Sequence, residues 1–175
     1  MINNDPILLT TEQLRDHVEE IACKIKAESH YVCVWILLHS GFVFGADLLR
    51  QLDMPVRTAF LHIDRGYTSG KPHKPRLRYA HPKFDPKYEH IFLDVVCETG
   101  QTLQFAKSLI PPGPVREQAK LCSLVVRILP DNPKYPLPDY YGLKTSVPGF
   151  LTGYGMAPHR HWPDVRILPK REKKP

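Results

Sequence analysis

The run Tyr31 to Leu38, YVCVWILL, is apolar at every position and rich in β-branched and aromatic side chains. It is too short for an ordinary helix and has no polar face. It therefore predicts a strand covered on both sides, as in the centre of a parallel sheet. Val56 to Ile63, Ile91 to Val96 and Leu121 to Leu129 are three further short, largely apolar segments that predict strands. Between them Phe42 to Leu52 and Thr102 to Leu109 carry apolar residues at helical spacing, the second stopped by Pro111 and Pro112. Thr10 and Gln13 stand in capping-box positions ahead of Leu14, Val18, Ile21, Ala22 and Ile25, which predicts an amphipathic helix over residues 11–27. Strands alternating with helices predict an α/β domain, with a mainly parallel sheet flanked by helices and right-handed crossovers.

At 175 residues, 42% hydrophobic and 24% charged, the chain has the composition of one ordinary domain, which excludes wholesale disorder. It holds no apolar run of about 20 residues and no basic-then-apolar leader, so a soluble cytoplasmic protein that does not enter a membrane is expected. Cys23, Cys33, Cys97 and Cys122 include no C-x-x-C pair, and three of them sit in apolar or amphipathic segments. They read as reduced small hydrophobes. The nine histidines form no H-E-x-x-H, and His159 and His161 flank Arg160 in a Pro-bounded loop without metal-site spacing.

The net charge of +6 calls for anionic partners. Part of it lies in the tail, residues 169–175 (PKREKKP), which reads as solvated. Another part lies between Arg65 and Lys87, where Lys71, Lys74, Arg76, Arg78 and Lys83 are interspersed with Pro, Gly and His. This composition excludes a helix or a central strand and predicts a long basic loop, about residues 64–88, suited to phosphate or nucleic acid. No helix-turn-helix or RNP-like motif accompanies it, so nucleic acid is the less favoured partner.

Ligands of open α/β sheets bind beyond the carboxyl ends of the strands. That rule selects His39-Ser40-Gly41, the basic loop and Cys97 to Thr102, CETGQT. A strand ending in Thr-Gly-x-Thr and opening a helix supplies backbone N–H groups, two hydroxyls and a positive helix end, the parts of a phosphate cradle. The plain alternative is a turn at Thr99-Gly100 with Thr102 as an N-cap.

The stretch IFLDVVCETGQTL resembles the type I phosphoribosyltransferase signature: an apolar strand, an acidic pair, two apolar residues and a (D)TG-x-T loop. LLTTEQLRDHVEEIACKI, WILLHSGFVFGADLLRQLDMPV and PDYYGLKTSVPGFLTGYGMAPHRHWPDVRIL are similar in order and spacing to the hypoxanthine-guanine branch of that family. The resemblance implies one domain over residues 1–168, with a small hood from the C-terminal segment and the basic segment as a lid. It also implies transfer of the 5-phosphoribosyl group of 5-phosphoribosyl diphosphate (PRPP) to a nitrogen of a purine base. The products are diphosphate and a nucleoside monophosphate, with Mg²⁺ as cofactor and a homo-oligomer, dimer or tetramer, as the assembly.

By position, the resemblance makes Glu98 the general base and gives the 5′-phosphate to Glu98, Thr99, Gly100, Gln101 and Thr102, with Asp94 on PRPP and Mg²⁺. His39, Ser40, Gly41 and Arg160 take the diphosphate. Arg127, Phe150 and Leu151 take the base, favouring a 6-oxopurine. The sequence departs from the family at Val95 and Ala157, where acids are expected, at His39, where a Lys is common, and at Asp64-Arg65-Gly66-Tyr67, where the lid has Ser-Tyr. Loss of two acids predicts weaker metal and sugar binding. The alternative reading is a catalytically weak or inactive nucleotide-binding regulator on the same fold.

Overall fold

Thr10 caps the first helix in the predicted manner: its Oγ1 accepts from Gln13 N at 3.2 Å, and the Gln13 side chain accepts from Thr10 N at 3.0 Å. The computed structural model describes residues 5–64, 67–68, 71–72, 75–81, 83–130 and 136–169. In chain order the elements are β1 (Ile7–Leu9), α1 (Thr11–Glu28), β2 (Val32–Leu38), α2 (Gly41–Gln51), β3 (Val56–Asp64), β4 (Tyr67–Thr68), β5 (Lys71–Pro72) and β6 (Arg76–His81). There follow β7 (Glu89–Cys97), α3 (Gln101–Ser108), α4 (Pro114–Gln118), β8 (Lys120–Arg127), β9 (Tyr140–Thr145), β10 (Phe150–Thr152) and β11 (Val165–Leu168).

The main sheet has six strands in the order β6-β3-β2-β7-β8-β9, parallel except for β6. The α/β expectation therefore holds, with Val32–Leu38 at its centre and Tyr31, 61% exposed, outside the strand. Val32, Val34 and Ile36 enter one apolar cluster with α1 and α2, while Cys33, Trp35 and Leu37 enter a second with α3. This is why that run has no polar face. The Cys33 thiol is pushed up to about 11 by burial, as befits a packing residue.

Two expectations need correction. The segment over 64–88 is not one loop: Arg76–His81 pairs antiparallel with β3 as an edge strand, and Tyr67–Thr68 pairs with Lys71–Pro72. Arg78 Nη2 reaches Asp64 Oδ2 at 2.6 Å, a cross-strand ion pair that ties this basic stretch to β3. Every residue of β6 is exposed, and an exposed edge tolerates Arg where a central strand would not. Arg65, Gly66 and Lys74 lie outside the described residues, as does the tail beyond Pro169. The hood is also not C-terminal alone. Its three-stranded antiparallel sheet, β1-β11-β10, takes a strand from each end of the described chain, with Leu9 (2% exposed) filling its underside.

Beneath the sheet, Trp35 Nε1 donates to His90 Nδ1 at 2.8 Å, and His90 Nε2 lies 3.1 Å from the Asp85 carbonyl. An indole N–H can only donate, so His90 is neutral with its proton on Nε2. Burial lowers the His90 pKa. A lowered histidine contributes stability that is present above its unfolded value, about 6.5, and is lost as pH falls through the folded one. Urea unfolding followed by tryptophan fluorescence should show stability declining from pH 7 to pH 5. A stability that is flat over that window would contradict the assignment.

Candidate active site

The carboxyl ends of β2, β7 and β8 meet under the hood. After Cys97 the chain turns through Glu98, Thr99 and Gly100 into α3. Gly100 has φ 67°, in the left-handed region that a side chain disfavours. Gly100, not Thr102, is the residue at the N-cap of α3, and Thr102 lies in the first helical turn, so the plain N-cap reading of Thr102 is overturned. A helix opened by glycine has no side-chain cap on its first turn. Those backbone donors and the positive helix end face a recess lined by Asp94, Glu98, Thr99, Gly100 and Thr102. Thr99 Oγ1 is buried without a hydrogen-bond partner there. A buried unsatisfied hydroxyl is costly, and a phosphate oxygen would satisfy it.

The β2–α2 turn brings His39, Ser40 and Gly41 alongside, following a cis peptide between Leu38 and His39. Ser40 holds the N-cap position of α2 without capping it; its Oγ donates instead to Asp94 Oδ1 at 3.1 Å, which also accepts from Val95 N at 2.8 Å. Gly41 is buried, and a Cβ there would sit 3.3 Å from the Leu93 carbonyl. His39 meets His62 of β3 edge-on at 4.9 Å, a neighbour that no motif marks.

A cleft of about 350 Å³ joins these residues: His39, Ser40, Asp94, Val96, Glu98, Phe150, Leu151, Met156, Ala157 and Arg160 line it. Phe150 is 55% exposed, an aromatic face turned to solvent, whereas Leu151 is buried. Val95 is not in the cleft; it is fully buried in the larger apolar cluster. Gln101 begins α3 and is exposed.

Arg127, the last residue of β8, is 5% exposed. Its Nη2 lies 2.5 Å from Glu98 Oε1, its Nη1 donates to the Gly149 carbonyl at 2.6 Å, and its Nε is buried without a partner. Sequence reasoning gave Arg127 and Glu98 separate roles and missed their pairing. The signal was in the register: Cys97 pairs with Val126, so the next residue on each strand is one of the pair.

The hood is fixed over the site by side chains that the sequence reading did not assign. Tyr154 Oη donates to Asp47 Oδ2 of α2 at 2.6 Å. Gly155 passes so near the β2–α2 turn that a Cβ would lie 2.8 Å from the Ser40 carbonyl. Trp162 is sandwiched between His159, stacked at 3.9 Å and 9°, and the Arg166 guanidinium at 4.8 Å. Its carbonyl accepts from Tyr154 N at 2.8 Å, and the Arg160 carbonyl accepts from Gly155 N at 3.1 Å. The loop carrying Arg160 is thus braced by the Trp162 stack, and His159 serves as a stacking partner.

Among the described residues no group of three or more potential metal ligands occurs. The cleft offers the carboxylates of Asp94 and Glu98, the latter held by Arg127. Mg²⁺ is commonly held by one or two carboxylates together with substrate oxygens and water, and this donor set fits a cation that arrives with a diphosphate. Asp94 is the residue that would hold it.

The sheet order, the antiparallel hood and the glycine-opened turn after β7 make up a type I phosphoribosyltransferase fold. Solved structures agree. A hypoxanthine-guanine phosphoribosyltransferase of Bacillus anthracis, with HEPES in its active site, matches at 27% identity and TM-score 0.75, over 92% of this chain and 95% of that one. A hypoxanthine phosphoribosyltransferase of Staphylococcus aureus matches at 18% identity and TM-score 0.79 over the whole of both chains. The Trypanosoma cruzi hypoxanthine phosphoribosyltransferase, in complex with its product IMP, matches at 22% identity and TM-score 0.76 over 94% of each. No protein-family model and no curated protein matches the sequence. Among the described residues no helix is long and apolar enough to cross a membrane.

Proposed function

We propose that this protein is a divergent purine phosphoribosyltransferase, transferring the 5-phosphoribosyl group of PRPP to a 6-oxopurine-type base. The observation that carries the reading is the turn after β7, where buried, unpartnered Thr99 Oγ1 and the glycine-capped start of α3 adjoin a cleft containing a carboxylate, Glu98, and an exposed aromatic face, Phe150. Thr99, Gly100, Gln101 and Thr102 receive the 5′-phosphate. His39, Ser40, Gly41 and Arg160 receive the diphosphate, and Asp94 holds the sugar side together with any Mg²⁺. Mg²⁺, when bound, offsets the charge that develops on departing diphosphate. Phe150 stacks on the base, with Leu151 and Arg127 at its edge.

In the reaction a ring nitrogen forms its bond to C1 as the C1–O bond to diphosphate breaks, and the leaving group takes the electron pair. The proton lost by the base passes to a Glu98 Oε. The hood braced over the cleft limits water, which would otherwise capture the ribosyl cation.

A second reading has its own support. Val95 is core and Ala157 is a methyl at the cleft edge, so two positions that carry acids in the family hold none here. A nucleotide-binding module with little turnover is what those positions favour. Incubation with PRPP, Mg²⁺ and hypoxanthine, guanine, xanthine or adenine, with diphosphate measured, separates the two. Release with a 6-oxopurine is the expected result. Silence across the panel, with nucleoside monophosphates still raising the melting temperature, would establish the binding module instead.

A further inference from the structure

We infer that the Arg127–Glu98 ion pair is a latch opened by the incoming base, so that a base with a carbonyl acceptor at its edge frees Glu98 to take a proton and a base with an amino group there does not. The inference rests on the functional reading above and adds a coupling between base recognition and proton transfer.

The geometry leaves Arg127 few alternatives. Nη1 is committed to the Gly149 carbonyl, Nη2 to Glu98 Oε1, and Nε is buried without a partner. The two committed arms are not equally fixed. Gly149 precedes Phe150, whose strand is held in register by pairing Phe150 with Leu168 and Leu151 with Ile167, so its carbonyl is part of the hood frame. The Glu98 side chain is 42% exposed, and water can take over its carboxylate once the ion pair opens. Nη2 is therefore the arm that can exchange partners.

A base stacked on Phe150 lies one residue from the carbonyl that orients Arg127. A ring carbonyl oxygen accepts from Nη2 and replaces the carboxylate. An amino group at the same place is itself a donor and cannot. The Arg127 side chain is only 6% exposed, and a buried guanidinium stripped of its acceptor without replacement is penalised, which adds to the discrimination. Once Nη2 has turned to the base, Glu98 Oε1, which had faced it at 2.5 Å, can accept from the N–H of the base. It takes the N–H proton of the base while the nitrogen–C1 bond forms and diphosphate departs. The pair re-forms after that proton passes to solvent. The guanidinium fork lets one arm stay anchored while the other changes partner.

The latch exacts a cost in affinity, since a ligand that must open it binds only the open fraction. The test compares binding of a 6-oxopurine and a 6-aminopurine nucleoside 5′-monophosphate to the full chain by thermal-shift titration. In Glu98→Gln the ion pair is replaced by a weaker neutral hydrogen bond. The ratio of 6-oxo to 6-amino affinity should rise about tenfold over wild type, as a latch closed roughly nine-tenths of the time requires. Any general relief of charge at the base would raise both affinities and leave the ratio unchanged. In Arg127→Met the ratio should fall towards one. An unchanged ratio in Glu98→Gln overturns the latch, and a ratio retained in Arg127→Met assigns the base edge to another residue and overturns it too. A different pattern marks failure of the functional reading itself: neither nucleotide would stabilise wild type or Glu98→Gln.

Discussion

Glu98→Gln should lower turnover by about 10²–10⁴-fold while leaving the fold intact, the usual loss when a positioned general base is removed. Stability should change little. The glutamine Oε1 still accepts from Arg127 Nη2, so the buried guanidinium keeps a partner, and the side chain at this position is 42% exposed. What disappears is the ability to hold a proton. Nucleotide binding should persist, because the cradle proposed for the phosphate, Thr99, Gly100 and the first turn of α3, does not depend on the carboxylate. Steady-state diphosphate release, compared with nucleotide affinity measured by thermal shift, separates these effects. An unchanged kcat would remove Glu98 from the chemistry and leave it as the counter-ion of Arg127.

The fold was legible because its central strands declare themselves: a run such as YVCVWILL, with no polar face, fits a strand packed on both sides. The turn after β7 was legible because its glycine takes the left-handed backbone that a side chain disfavours. The edge strand Arg76–His81 was hidden, since a strand exposed on both faces has no apolar alternation and its Arg and Pro neighbours read as loop. The hood strands were equally obscure. β1 and β10 span only three residues each, and their pairing with β11 joins segments more than 150 residues apart in the case of β1. In the site, individual residues could be proposed from position, but their partners could not. The swap of Ser40 from helix cap to Asp94 donor and the Trp162 stack behind Arg160 depend on tertiary approach. The Arg127–Glu98 pair was partly readable, because parallel register sets Arg127, the last residue of β8, beside Glu98, the residue that follows β7.

Val95→Asp gives the largest expected change in stability, and its direction bears on what the departure at this position means. From sequence, Val95 looks like a vacancy in an acidic pair that an aspartate would refill. In the structure Val95 is 0% exposed and belongs to the cluster that includes Ile36, Phe44, Leu48 and Leu93, while its neighbour Asp94 lines the cleft. A carboxylate placed there has no cation within the cluster, and burial raises the pKa of such a group by about 3–5 units, at 1.36 kcal/mol each. The expected loss is about 4 kcal/mol at pH 7, or about 10 °C in melting temperature for a chain of this length. The sign of the pH dependence follows. The folded pKa lies above the unfolded value of about 3.9, so the folded state binds the proton more tightly and the deficit shrinks as pH falls from 7 towards 4. Differential scanning calorimetry at pH 7 and pH 5 measures both features. A variant that melts with wild type and turns over faster would mean that position 95 can swing into the cleft and that the ribose site is damaged. A variant that melts early, with its deficit narrowing in acid, would show that the site has been rebuilt around Asp94 alone, with position 95 given over to the core.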